Sequence, residues 1–259
     1  MATYYSPKIV TDGLVLAVDS GNIKSNGAAG ITAMNNLAGT GGTPTVVNGV
    51  TSSSFVAING TNGYIEIVGS VSSATLSPSV ATFDIWFNPD SGSVFNGSAN
   101  SLISRGNYNT AGGFFIHFFT NTVSSNAPSV SATFSYSTTT SYTHNTTSAY
   151  ALSGFNKWHH VTVSAGANLK IYINGVLKET VARNVSTIIY GNGAINTGGD
   201  TALEICSTLS YAPTLAQGSG GYWNPFKGNF GSTNMWNRIL SDYEILQNYN
   251  ATKSRFGLI

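Results

Sequence analysis

Between Trp158 and Glu179 the chain reads WHHVTVSAGANLKIYINGVLKE, and this stretch constrains the fold more than any other. Val161 and Val163 alternate with His160, Thr162 and Ser164; farther on, Leu169, Ile171 and Ile173 share a face opposite Lys170 and Tyr172. Such period-two alternation marks a half-buried strand, because successive side chains on a pleated strand point to opposite faces. Ala165-Gly166-Ala167-Asn168 supplies one turn. Asn174-Gly175 supplies another, since a two-residue type I′ turn needs positive φ at both central positions, which Asn and Gly tolerate. The expectation is two antiparallel strands and the start of a third, lying near the middle of a large antiparallel sheet.

The remaining chain carries the same signal in short pieces. Leu14–Val18 is an apolar run after the Asp12-Gly13 turn. Phe55–Ile58, Tyr64–Val68, Ser101–Ser104, Gly113–Phe119, Val130–Tyr136, Ala202–Ser207 and Asn229–Trp236 read as further strands. In Ala81–Phe87, Phe83, Ile85 and Phe87 fall on one face, Asp84 and Trp86 on the other. Residues 20–49, rich in Gly, Asn, Ala and Thr, read as a long irregular loop with a short strand at Thr45–Val47. Thr208–Gly228 reads as a second long loop. One segment reads as helix: Ser241-Asp242-Tyr243-Glu244 is a capping box, in which the serine accepts from the N3 amide and the glutamate reaches back. Ile245, Leu246 and Tyr249 then form a short apolar face, with an end near Ala251. Short strands bounded by turn residues, plus one small helix, point to an all-β, two-sheet antiparallel sandwich.

Composition narrows what such a sandwich does. Charged residues make up 8% of the 259, the net charge is +1, and there is no Lys/Arg run. Nucleic acid and anionic lipid are held by concentrated positive charge, so neither is an expected partner. No apolar run approaches the length of a membrane span, so no membrane insertion is expected. The opening residues, MATYYSPKIVTDG, lack the charged and apolar regions of a secretory signal, which implies synthesis for the cytoplasm. Cys206 is the single cysteine, so no intrachain disulfide forms. With no activating group beside it, a buried inert thiol is expected.

The segment FNKWHHVTVSAGANLKIYINGVLKE resembles the core of the concanavalin A-like, laminin-G/pentraxin-type jelly rolls, where a W-x-H-V strand precedes a K-I-Y-I-N-G strand. FKGNFGSTNMWNRILSDYEILQNYNATKSRFGL is similar to that family's closing F-x-G-x-I … I-Y-N-R-x-L-S-x-x-E-I segment. Phe226, Gly228, Asn237, Arg238, Leu240, Ser241, Glu244 and Ile245 fall on the pattern. TFDIWFNP and GYIEI match two further strands. The resemblance implies a jelly roll from Asp12 to the C-terminus, residues 12–259, preceded by an arm, residues 1–11, suited to docking. The opening IVTDGLVLAVDSGNIKS and the ending QNYNATKSRFGL resemble laminin-G-like proteins of tailed bacteriophages of marine bacteria and cyanobacteria. That likeness implies a virion component of capsid or tail, made in the host cytoplasm.

Candidate sites follow from chemistry and resemblance together. A glucanase relative would need paired carboxylates on one strand; Glu66 and Asp84 stand singly, so no catalytic residue and no enzyme is expected. His159 and His160 are adjacent on a strand and point to opposite faces, so they cannot chelate one ion. His117, among phenylalanines, could line a concave binding face, although a packed sheet histidine is the commoner case. Sugar sites set aromatic rings beside Asn or Asp, which singles out Tyr211, Tyr222, Trp223 and Asn224; Trp223 and Phe226 could equally plug the end of the sandwich. No cofactor is expected, except that the family often binds calcium through loop carboxylates and carbonyls. Asp19, Asp90 and Asp200 are the candidates, without the clustering of a strong site. Arg238 and Glu244 are expected to stabilise the closing turn and helix.

The leading expectation is a non-enzymatic phage virion protein, capsid-decorating or tail-associated, that binds other virion proteins, assembles with further copies of itself and engages host-surface glycans. The alternative is a carbohydrate-binding adhesin whose main task is host attachment. A divergent glycoside hydrolase is the weaker third.

Overall fold

The computed structural model describes residues 8–26, 34–39, 42–52, 54–60, 63–68, 74–91, 99–105, 113–119, 128–135, 144–190, 203–206, 223–224 and 226–259. The first half of the chain gives β1 (Leu14–Asp19), α1 (Ile23–Asn26), β2 (Thr43–Val47), β3 (Val50–Thr51), β4 (Val56–Asn59), β5 (Tyr64–Val68), β6 (Ala81–Pro89), β7 (Ala99–Arg105) and β8 (Phe114–Phe119). The second half gives β9 (Ser129–Ser135), β10 (His144–Thr146), β11 (Tyr150–Ala151), β12 (His159–Ala165), β13 (Asn168–Ile173), β14 (Val176–Ala182), β15 (Leu203–Ile205), β16 (Trp223–Asn224), β17 (Lys227–Trp236) and α2 (Asp242–Thr252).

The strands make the two-sheet sandwich expected from the alternation. One sheet runs β14-β13-β12-β6-β17-β4-β3, with β1 also on β17; the other runs β10-β9-β8-β7-β15-β5-β2, with β11 on β9 and β16 on β7. Phe83, Ile85 and Phe87 of β6 and Val161 and Val163 of β12 face Phe114, Ile116 and Phe118 of β8 across the core. The Phe83 and Phe114 rings approach to 4.7 Å. Residues 20–49 carry α1 and β2 where one short strand was expected.

The meander does not lie mid-sheet. β14 forms one edge, and β6 and β17 hold the centre. Nor is β12 half-buried: His160, Thr162 and Ser164 are as closed to solvent as the valines between them. The C-terminal segment covers their face. Phe256 stacks on Trp86 at 4.3 Å, Tyr249 stacks on it at 5.9 Å, and Trp86 Nε1 donates to Thr252 Oγ1 at 3.0 Å. The covering residues come from the end of the chain, so the local alternation of β12 carries no trace of them. A Cβ at Gly231 would overlap Phe256 and Trp158, so the close seat of this segment requires a glycine there.

Helix α2 begins as its sequence implies. Ser241 Oγ accepts from Glu244 N–H, and Glu244 Oε2 accepts from Ser241 N–H at 2.8 Å. Glu244 also receives both terminal nitrogens of Arg238, at 2.6 and 3.1 Å. Ile245 is buried and Tyr249 lies on Trp86, whereas Leu246 is turned outward. Lys8–Val10 lies against α2: Val10 N–H donates to Asn248 Oδ1 at 2.7 Å and Gln247 donates to the Lys8 carbonyl at 2.8 Å.

This closing knot sets an acid dependence. The Arg238 guanidinium, with Ser241 assisting, lowers the Glu244 carboxyl from its ordinary 4.5 to about 2. A depressed folded-state pKa contributes stability that is complete above the unfolded value and is lost as pH falls through the folded one. Urea midpoints measured from pH 5 to pH 2 are therefore expected to fall less for Glu244→Gln than for the wild type. Parallel acid limbs would contradict this account of the helix start.

Candidate functional site

At one end of the first sheet the strand ends of β6, β17 and β4 and the turn before β12 enclose a half-open cleft of about 160 Å³. Its polar side chains are Asn88, Asp90, Asn156, Lys227 and Asn229. Asn88 and Asn229 are directly opposite in the β6–β17 ladder, and Asn229 is opposite Ala57 of β4. Their neighbours Phe87 and Phe230 are buried in the core, so alternation turns both amides to the outer face.

Backbone contacts bring in the other residues. Asn156 N–H donates to the Pro89 carbonyl at 2.7 Å from a left-handed conformation, φ 57°, which asparagine adopts more readily than most residues. Asp90 N–H donates to the Lys227 carbonyl at 3.1 Å, and their side chains face each other with Oδ2 3.6 Å from Nζ. Gly228 separates Lys227 from Asn229 with φ 148°. Beneath the cleft Phe226 is fully buried, edge-on to Phe87 at 5.8 Å and Phe118 at 5.7 Å.

Among the described residues the cleft offers one carboxylate, one ammonium and three amides. The side-chain amides of Asn88, Asn156 and Asn229 make no hydrogen bond among the described residues. Each presents a carbonyl acceptor and two N–H donors. The strands fix the Asn88 and Asn229 backbone before any ligand arrives, which lowers the ordering cost of binding.

Of the residues singled out from sequence, Asp90 lies in this cleft. Trp223 and Asn224 are described through their backbone, as β16, parallel to Ala99–Asn100 of β7 and three residues before Lys227. Tyr211, Tyr222 and Asp200 lie outside the described residues. His117 is on β8 of the other sheet, opposite Ser101 and Ser131 and stacked on Phe115 at 5.5 Å. It is 4% exposed, and burial beside His144 lowers its pKa from 6.5 to about 3, so it is neutral at ordinary pH. Asp19 is held by Arg255, with 2.6 Å between Oδ2 and Nη1. Cys206 is buried, and burial raises its thiol pKa.

The residues missed from sequence are Asn88, Asn156, Asn229 and Lys227. A signal existed: FNP, FNK and KGNF each set an asparagine beside a buried or half-buried phenylalanine. The register of β15 also places Glu204 directly opposite Glu66 of β5. Among the described residues no three His, Cys, Asp or Glu side chains gather as metal ligands. Asp19 and Asp90 each already face a cation. Calcium, which takes six to eight oxygens with carboxylates among them, finds no such set in the described residues. Among the described residues no helix is long and apolar enough to cross a membrane.

A laminin-G-type family model of the concanavalin A-like lectin/glucanases superfamily matches residues 59–246. No curated protein matches the sequence. Among solved structures, the binding domain of botulinum neurotoxin DC, in complex with SialylT, superposes with a TM-score of 0.61 at 13% identity, over 93% of this chain and 52% of that one. The chain thus spans about half of that domain. Domain 4 of AbnA, a GH43 extracellular arabinanase from Geobacillus stearothermophilus in complex with arabinotriose, gives 0.54 at 16% identity, covering 91% and 98% of the two chains. The CBM40 of Ruminococcus gnavus IT-sialidase, bound to alpha2,3 sialyllactose, gives 0.50 at 19% identity, covering 74% and 95%. At these identities the likeness shows the fold alone.

Proposed function

We propose, on the premise that this chain belongs to the concanavalin A-like lectin/glucanases superfamily, that it is a non-catalytic carbohydrate-binding sandwich that attaches to a glycan-bearing surface. The cleft at the end of β6 and β17 carries this conclusion. Its three amides have no hydrogen-bond partner among the described residues, and sugar hydroxyls, which both donate and accept, complement amide groups that do the same. Support comes from the superposed structures: a neurotoxin binding domain in complex with SialylT, a CBM40 bound to alpha2,3 sialyllactose and an arabinanase domain in complex with arabinotriose.

The test is a glycan array read with the wild type and with Asn88→Ala/Asn229→Ala. The double variant is expected to lose at least about tenfold in affinity, the scale set by two lost hydrogen bonds. Trp223→Ala, close in sequence to Lys227, is expected to weaken the same hits. Unchanged affinity in the double variant would move the site elsewhere. A wild type that binds no glycan would remove the function.

The setting proposed for this module is a tailed-phage particle, where it would contact neighbouring virion proteins and further copies of itself. The support is the likeness of the opening and closing segments to phage proteins; these segments also meet, through Asp19–Arg255 and Val10–Asn248. Mass spectrometry of purified particles should find the chain, and its absence from them would end this part of the proposal. One observation favours a hydrolase instead, the register of Glu204 opposite Glu66. Release of reducing ends from a polysaccharide, lost in Glu66→Gln, would establish that alternative.

A further inference from the structure

The charge of the cleft goes further than the class of its ligand. Asp90 and Lys227 bring one negative and one positive charge, and the other polar side chains lining it are neutral amides. Among the described residues no guanidinium lines it. The two charged groups stand 3.6 Å apart, beyond hydrogen-bonding distance. Two neighbouring hydroxyls of one sugar ring complete this arrangement: one donates to the Asp90 carboxylate, and the next accepts from the Lys227 ammonium. Hydrogen bonds to ionised groups are stronger than those between neutral ones, and both hydroxyls gain one. A carboxylated sugar brings a second negative charge beside Asp90 and must compete with it for the single ammonium. Like charges close together are unfavourable, more so as the ligand displaces water.

We infer that this cleft, if it is the carbohydrate site proposed above, selects uncharged sugars through a vicinal diol, rejects carboxylated ones and needs no calcium. Lys227 supplies the cation opposite Asp90, the one carboxylate among the described lining residues. A volume of about 160 Å³ is small beside the roughly 300–1,000 Å³ of sites that enclose drug-sized ligands, and suits one ring rather than a groove for several. The preference departs from the two superposed structures solved with sialylated ligands and agrees with the one solved with arabinotriose.

The experiment is an array of neutral gluco-, galacto- and arabino-oligosaccharides beside sialylated and uronic-acid glycans, probed with the whole chain in buffer containing EDTA or calcium. The expected wild-type hits are neutral glycans, with affinities the same in both buffers. Asp90→Asn removes the carboxylate that faces the Lys227 ammonium, while its main-chain N–H still bonds the Lys227 carbonyl. It should raise the ratio of carboxylated to neutral binding at least about tenfold, the factor equivalent to a change of 1.4 kcal/mol. Circular dichroism confirms that the variant is folded. Wild-type binding to carboxylated glycans at equal or higher affinity, loss of binding in EDTA, or an unchanged ratio in Asp90→Asn would each overturn the inference and leave carbohydrate binding standing. A wild type that binds no glycan of either class would overturn both.

Discussion

Gly228→Ala is expected to lower the unfolding free energy by about 2–4 kcal/mol, combining strain at a special backbone position with overpacking. Gly228 sits at φ 148°, a conformation that L side chains rarely adopt. A Cβ there would overlap the main-chain oxygen of Asn88 and the Phe226 ring. Neither can retreat cheaply, since Asn88 belongs to the central strand β6 and Phe226 is fully buried against Phe87 and Phe118. The start of β17 must therefore shift, and with it Lys227 and Asn229. The same exchange at Gly257, φ 74° with nothing within 4 Å of the added carbon, carries the backbone term alone and is expected to cost about 1 kcal/mol. Urea unfolding of the two variants checks the difference. Equal midpoints would show that β17 relaxes around the new methyl group, contrary to this account.

Asp84→Ala is expected to cost about 3–5 kcal/mol, as when one partner is removed from a buried polar pair. Asp84 is 2% exposed in the middle of β6. Its Oδ1 accepts from both the main-chain N–H and the side-chain amide of Asn234, each at 3.0 Å, and its Oδ2 lies 3.5 Å from His160 Nε2. Truncation leaves two buried donors of Asn234 without an acceptor, and each unmet group carries its own desolvation penalty. Asp84→Asn retains a carbonyl in the same place and should recover more than half of the loss. Comparable losses in the two variants would mean that charge, rather than hydrogen-bond acceptance, is what β6 needs there.

The local parts of this structure were legible in the sequence and the convergent parts were not. The Asn174-Gly175 turn is present, with φ of 51° and 76° at its two residues, because its requirement is met within two positions. The capping box of α2 and the Arg238–Glu244 pair lie within one short segment, and both form as expected. The meander was recognised, but its place at the sheet edge depends on β6, β17 and β4 pairing beside it. His160 reads as outward-facing and is buried, since Trp86 and Tyr249, with Phe256 stacked on Trp86, arrive from distant segments.

The cleft shows the same divide. Asp90 was picked out as a loop carboxylate for calcium, yet it faces Lys227, which the β6–β17 ladder and the bond from Asp90 N–H to the Lys227 carbonyl place beside it. Asn88, Asn156 and Asn229 each look ordinary in a sequence rich in asparagine. They become a site because β6, β17 and the turn before β12 end together. The aromatic cluster expected to hold sugar extends into residues beyond those described, with Tyr211 and Tyr222 among them.

The most direct test of the central claim is a two-dimensional NMR titration of the whole chain with a neutral oligosaccharide that scores on the array. The side-chain amide signals of Asn88, Asn156 and Asn229 should move together, saturate with one affinity and stay still on addition of sialyllactose, while signals from β8 around His117 remain unchanged. Shifts centred on β8, with the three amides unmoved, would contradict the assignment of the site to this cleft.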